Sequence, residues 1–136
     1  MKKIKKRSDC PISSALDIVG DKWSLLIIRD IVLSGKNTYN EFLNADEKIS
    51  TNVLADRLSM LERVGIIGKT RDEHHKQKVV YKLTQKGIDL MPVLVEIIMW
   101  SAKYDKKSAV DKGFVKNVNK DKVSFLKDLS SRLSVV

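Results

Sequence analysis

The chain has 136 residues, 43% of them hydrophobic and 32% charged, which fits one domain with short tails and is enough to bury a core. That length leaves no room for a doubly wound sheet enzyme or a (β/α)₈ barrel, and 6 Gly with 2 Pro are too few for a turn-rich β-sandwich. The net charge of +9 fits a polyanionic partner such as nucleic acid, and it fits a well-solvated surface equally.

Most of the excess charge sits at the two ends of the chain, while residues 21–102 are close to neutral. Residues 1–9 read as a basic arm. No apolar run follows it as a signal peptide would require, no apolar stretch escapes charge long enough to span a bilayer, and the single cysteine forms no internal disulfide. A cytoplasmic protein without a membrane segment is expected. Pro11 suits the first position of a helix with Cys10 as its N-cap, and Ile12, Ala15, Leu16 and Val19 give its apolar spacing up to Gly20. Asp21 can cap a second helix over 22–33 that buries Trp23, Leu26, Ile27 and Ile31. Thr38 and Glu41 form a capping box ahead of a short helix over 39–44. After a loop over 45–49, Ser50 caps a longer helix in which Leu54, Leu58 and Leu61 share one face and Gly65 ends the element.

The period then changes. Residues 66–71 and 78–83 read as two strands joined by a polar turn. Thr84 restarts a helix expected to run to about Tyr104, bent at Pro92. It carries two apolar stripes, Ile88, Met91, Val95 and Ile98 on one side and Leu90, Leu94, Ile97 and Trp100 on another. The second stripe implies a partner chain. Residues 105–119 read as a polar linker, and Val123, Leu126, Leu129 and Leu133 define a last amphipathic helix. Two helices across a tight loop, followed by a hairpin, make a mainly α winged helix-turn-helix flanked by dimerisation helices. The expected organisation is a basic arm over 1–9, the winged domain with its dimerisation helix over 10–104, and the linker with the C-terminal helix over 105–136.

The helix after Ser50 has the composition of a DNA reader. With its leucines inward, Asn52, Ala55, Asp56, Ser59 and Arg63 face out, and Ser50, Thr51, Asn52 and Ala55 make a small polar tip able to enter a major groove. The hairpin brings five basic residues against two acidic ones over 69–82, so Lys76 and Lys78 are placed to hold phosphates, or else simply to solvate a turn. His74 and His75 match no ligand spacing, so no metal is expected, and no cofactor fingerprint is present. Cys10 stands at a helix N-terminus, where the dipole and the neighbouring Lys5, Lys6 and Arg7 favour a thiolate and Asp9 opposes it. The alternative is an ordinary structural cysteine. No base near Cys10 supports an enzyme.

Several runs together resemble one family: Cys10-Pro11-Ile12 with Asp17-Ile18-Val19-Gly20-Asp21-Lys22-Trp23, Tyr39-Asn40-Glu41-Phe42, the 49–58 run starting Ile49-Ser50-Thr51-Asn52, Leu61-Glu62-Arg63-Val64-Gly65, and Tyr81-Lys82-Leu83-Thr84-Gln85-Lys86-Gly87. This ordered set is similar to the HxlR-type, MarR-like bacterial transcriptional regulators. The resemblance implies a homodimeric winged-helix regulator that binds double-stranded DNA, with Ile12, Leu94, Ile97, Trp100, Leu126 and Leu129 at the interface between chains. It also implies that Cys10 matches a cysteine some members use to sense oxidants, quinones or aldehydes, so an oxidant or small-molecule effector is expected. With one cysteine per chain, a disulfide would join two subunits or a small thiol. Where the family commonly has a basic residue just before the aromatic of the short helix, this chain has Thr38, so that phosphate contact is either lost or moved to Lys36. His74-His75 stands where proline is common. The residues expected at the duplex are therefore Ser50, Thr51, Asn52 and Ala55 at the bases, and Arg57, Lys36, Tyr39, Lys76 and Lys78 around them. The competing reading is a winged-helix module that binds protein and has lost its DNA contact.

Overall fold

Capping residues set the starts of most helices in this structure, a computed structural model that describes residues 4–133. The first three residues of the expected basic arm and the last three of the C-terminal segment lie outside the described residues. The elements are α1 (Pro11–Val19), α2 (Ser24–Ser34), α3 (Tyr39–Leu43), α4 (Thr51–Arg63), β1 (Ile67–Arg71), β2 (Val79–Leu83), α5 (Gln85–Ile88), α6 (Met91–Tyr104), α7 (Lys112–Lys120) and α8 (Lys122–Ser131). Among the described residues no helix is long and apolar enough to cross a membrane.

Of the N-caps expected from sequence, Cys10 stands at the start of α1 without a side-chain bond, and the others are made. The Thr38 hydroxyl accepts from the Glu41 amide and donates to the Glu41 carboxylate. Ser50 Oγ accepts from the Val53 amide at 3.3 Å. Asp21 accepts from the amides of Trp23 and Ser24, although α2 starts two residues later than expected. At its other end α4 closes in a Schellman turn: the Ile66 amide donates to the Leu61 carbonyl and the Gly65 amide to the Glu62 carbonyl. Gly65 has φ +80, a left-handed conformation that a Cβ would strain.

The hairpin is antiparallel, with Ile67 opposite Leu83 and Arg71 opposite Val79. Ile67 and Leu83 point into a core made with Ile28, Phe42, Leu54, Leu58 and Leu61. On the far edge of β2 the Tyr81 amide donates to the Asn37 carbonyl at 2.7 Å, so the segment before α3 is tied to the wing. The Phe42 and Tyr81 rings add an edge contact at 6.1 Å between centroids. Behind the hairpin, the Thr84 hydroxyl donates to the Gly65 carbonyl and the Thr84 amide to the Ile66 carbonyl. This close approach requires Gly87, where an added Cβ would lie 2.3 Å from that same carbonyl oxygen.

Three expectations change. The single bent helix over 84–104 is two helices, α5 and α6, with a turn between them. Pro92 lacks an N–H and its ring conflicts with the carbonyl four residues back, so it sits in the first turn of α6, where that costs nothing. The expected linker over 105–119 contains α7. Asp111 caps it through the Gly113 amide, Val118 is buried, and Phe114 stacks edge-on against Phe125 of α8 with centroids 4.9 Å apart. Leu94 and Leu129, expected to face a partner chain, belong to this chain's own core. Leu126 packs against the same core, while Val123, expected inward, is exposed. The cause is shared. Once α7 and α8 fold back as a hairpin, α8 packs beside α6, and Leu94 and Leu129 join one core.

The Gly87 packing gives a test. Gly87→Ala should lower the urea unfolding free energy by about 1–3 kcal/mol, as overpacking against backbone does. Gly113→Ala, whose Cβ would meet nothing nearer than 3.5 Å, should be neutral or raise it by up to about 1 kcal/mol. Equal effects of the two would contradict the close approach.

Candidate nucleic-acid interface

The turn from α3 into α4 presents one face of α4 to solvent. Thr51, Asn52, Ala55, Asp56, Ser59 and Arg63 are all exposed, because Leu54, Leu58 and Leu61 occupy the opposite side. Ser50 is exposed as well. Helix geometry leaves the amides of Thr51 and Asn52 without an intrahelical acceptor, and a helix start of this kind favours an anion. Tyr39 does not offer its hydroxyl outward. It donates to the Thr51 carbonyl at 2.9 Å and so locks the start of α3 to the start of α4.

Two of the expected cations act as braces. Arg57 pairs with Asp56 at 2.6 Å and with Asp21 at 3.5 Å. Asp21 thereby joins the start of α2 to the middle of α4. Burial works against its carboxylate, but hydrogen bonds from the Ser24 side chain and from the Trp23 and Ser24 amides, together with the Arg57 charge, outweigh it and lower its pKa. The hydrogen bonds that Arg57 donates to Asp56 lead in raising the Arg57 pKa. Lys36 lies 3.7 Å from the buried carboxylate of Asp30. Asp30 also receives Arg29 at 2.9 Å, and Arg29 makes two bonds to Glu47, at 2.8 and 2.9 Å. Residue spacing gives no sign of this cluster, whose members come from separate elements. It fastens α2 to the loop that leads into α4. The Arg29 hydrogen bonds hold the Glu47 carboxyl down at about 2.

The wing is organised by its own backbone. The Asp72 amide donates to the Lys78 carbonyl, the Lys78 amide to the His75 carbonyl, and Asp72 Oδ1 accepts from the His74 amide. Arg71 donates to the Lys76 carbonyl at 3.1 Å. Lys76 and Lys78 are exposed. The charge of Lys78 reaches both Asp72 and Glu41 of α3, adding to the hydrogen bonds that lower their pKa values. Among the described residues no group of three or more His, Cys, Asp or Glu is placed to hold a metal.

Cys10 is a free, exposed thiol at the N-cap of α1 and makes no side-chain capping bond. Of the cations expected to act on it, Arg7 is bound to Asp17 at 2.6 Å and Lys6 to Asp9 at 3.9 Å. Among the residues expected at a chain–chain contact, Ile12, Ile97 and Trp100 are exposed, Ile12 by 71% and Trp100 by 68%. Leu16 on α1 and Val93 and Tyr104 on α6 are exposed too.

A capped helix pair closed by a short turn, an exposed second helix and a two-stranded wing define a winged-helix protein of the transcription-regulator class. The model of the HxlR-like helix-turn-helix family matches residues 18–109, and the chain belongs to that family. It is 36% identical over 103 residues to the HTH-type transcriptional regulator YdeP of Bacillus subtilis, covering 76% of this chain and 78% of YdeP. Among solved structures it is similar to PA1607, assigned as a transcription factor, with a TM-score of 0.69 and 35% identity over 77% of this chain and 74% of that one. It is also similar to the redox regulator HypR in its oxidized form, with a TM-score of 0.61 and 30% identity over 69% of this chain and 96% of HypR. The family match ends at residue 109, so α7 and α8 lie beyond it.

The Arg29–Glu47 brace makes stability depend on pH. The folded pKa of Glu47, about 2, lies below its ordinary value of 4.5, so its contribution is complete above pH 4.5 and is lost as pH falls towards 2. Glu47→Gln should cost about 1 kcal/mol at pH 7, discounted for its exposed side chain, and almost nothing below pH 2. Chemical denaturation of both proteins across that range checks it. A difference that does not change with pH would remove the ion pair from the account.

Proposed function

We propose that the chain is a sequence-specific regulator of transcription that binds a pseudo-palindromic, double-stranded operator as a homodimer. The observation that carries this reading is the small polar tip of α4, uncovered by the chain's own atoms and held by Ser50, by Tyr39 and by the leucine side of the helix. In a dimer the two tips enter successive major grooves about 34–36 Å apart. Thr51 and Asn52 face base edges, Asn52 having the geometry to pair with adenine, and Ala55 lets the helix approach closely. Ser50 caps that tip from within. Lys76 and Lys78 meet the phosphate backbone, while Arg57 and Lys36 hold the reading helix in place from behind. The exposed apolar residues Ile12, Ile97 and Trp100 supply the contact between subunits.

Cys10 gives this reading an input. HypR, a redox regulator, is among the similar structures, and Cys10 is accessible to reagents at the start of α1, the helix that carries Ile12. Oxidation joins Cys10 to a second thiol, in the other subunit or in a small molecule, with the oxidant taking two electrons and the two protons. The new bond changes how α1 sits between subunits and so the spacing of the two α4 tips.

Asn52→Ala should weaken binding to an operator selected from genomic fragments by about 1–3 kcal/mol and relax base preference at one position. Lys76→Ala should weaken operator and random DNA alike and reduce the salt slope by about one. Gel-shift titrations at several salt concentrations separate the two effects. If the wild-type chain binds no fragment better than about 10⁻⁴–10⁻⁶ M, the protein-binding reading replaces this one. Diamide should change operator affinity in wild type and leave Cys10→Ser unchanged. Identical responses would make Cys10 a structural residue.

A further inference from the structure

Beyond the family match, α7 forms one wall of a cavity whose other wall is α6. α6, the turn after it and α7 line an open groove of about 940 Å³, within the volume range of small-molecule sites. Met99, Trp100 and Val115 give it an apolar wall. Its rim carries Lys103, Lys106, Lys112 and Lys116. Of the two carboxylates in the lining, Glu96 is paired with Lys122, which leaves Asp105 alone against the other four lysines. A concave apolar wall under several cations favours a compact anion with a hydrophobic body. A duplex backbone presents a convex row of phosphates, which does not fit this shape.

We propose that this cavity binds a small aromatic carboxylate, with the carboxylate among the α7 lysines and the ring against Trp100 and Met99. The Trp100 indole also lines the neighbouring apolar groove with Val93 and Ile97, the surface that meets the second subunit in the proposed homodimer. At the other end of the same hairpin, Leu129, Arg132 and Leu133 of the α8 end line a hollow with Tyr81 and Lys82 at the base of the wing. A ligand between α6 and α7 therefore touches an element that reaches both the subunit contact and the wing. This makes the ligand an effector of DNA binding, a consequence that rests on the operator reading, whereas binding itself does not.

Isothermal titration of the full chain with 2-naphthoate tests the site without DNA. A single site with a Kd below about 1 mM is expected, with 2-naphthylmethanol, the neutral analogue, weaker by about tenfold or more. The double variant Lys112→Gln/Lys116→Gln should keep the wild-type melting midpoint and also bind 2-naphthoate about tenfold more weakly. Absence of saturable binding, equal affinity for the alcohol, or an unchanged Kd in the double variant would each overturn the proposal. A double variant that loses affinity for random DNA and none for 2-naphthoate would assign the lysines to a duplex instead. Because no operator is present, failure here leaves the operator reading intact, and a failed operator selection leaves the calorimetric result standing.

Discussion

The burial of Leu54, Leu58 and Leu61 along one side of α4 decides the direction of everything else in the molecule. Leu54 and Leu61 have no exposed surface and Leu58 almost none. Truncating any of them would cost about 2–5 kcal/mol, so rotating α4 to bring another face inward is prohibitive. That rotation angle is what sends Asn52, Ala55 and Ser59 outward. The same seam places the wing, because the turn that ends α4 passes directly from the Leu61 carbonyl to Ile66 and into β1, and the Ile66 carbonyl in turn receives Thr84. α4 and the wing are therefore joined by direct hydrogen bonds through a tight turn.

Charge is divided between support and contact. The clusters Asp21–Arg57–Asp56 and Lys36–Asp30–Arg29–Glu47 are each partly shielded from water, and they bind α2 to α4 and to the loop before it. Such pairs hold geometry better than they add stability. Their cations are consumed in doing so, which leaves Lys76 and Lys78 of the wing, and Lys48 two residues before Ser50, as exposed cations outside these clusters. The large positive excess at the chain ends belongs to other surfaces, the arm before α1 and the α6–α7 cavity.

Features that depend on near neighbours are legible in the amino-acid sequence. Thr38, Ser50 and Gly65 each act within a few residues of themselves, so capping chemistry and the leucine spacing suffice to place α3, α4 and the start of the wing. Tertiary features are not legible in the same way. Arg57 reads as a free cation until α2 is seen beside it, and Tyr39 reads as a surface aromatic until its hydroxyl meets the Thr51 carbonyl. Segment 112–120 reads as a linker because four of its nine residues are Lys or Gly, and its Phe114 and Val118 acquire meaning only against Phe125. Leu94 and Leu129 satisfy the pattern of a dimer contact as well as that of a core, and only the path of the α7–α8 hairpin separates the two.

If the chain acts as proposed, the outer face of α4 lies against base edges when the protein is on its operator. A chain carrying Ala55→Cys in a Cys10→Ser background has one thiol, at the tip of that face. Its alkylation rate by a small maleimide should fall at least about tenfold on saturation with a selected operator fragment, and a photo-crosslinker attached there should label bases inside the half-site. Alkylation at the same rate with and without bound operator would show that this face stays open in the complex, and the account would be wrong.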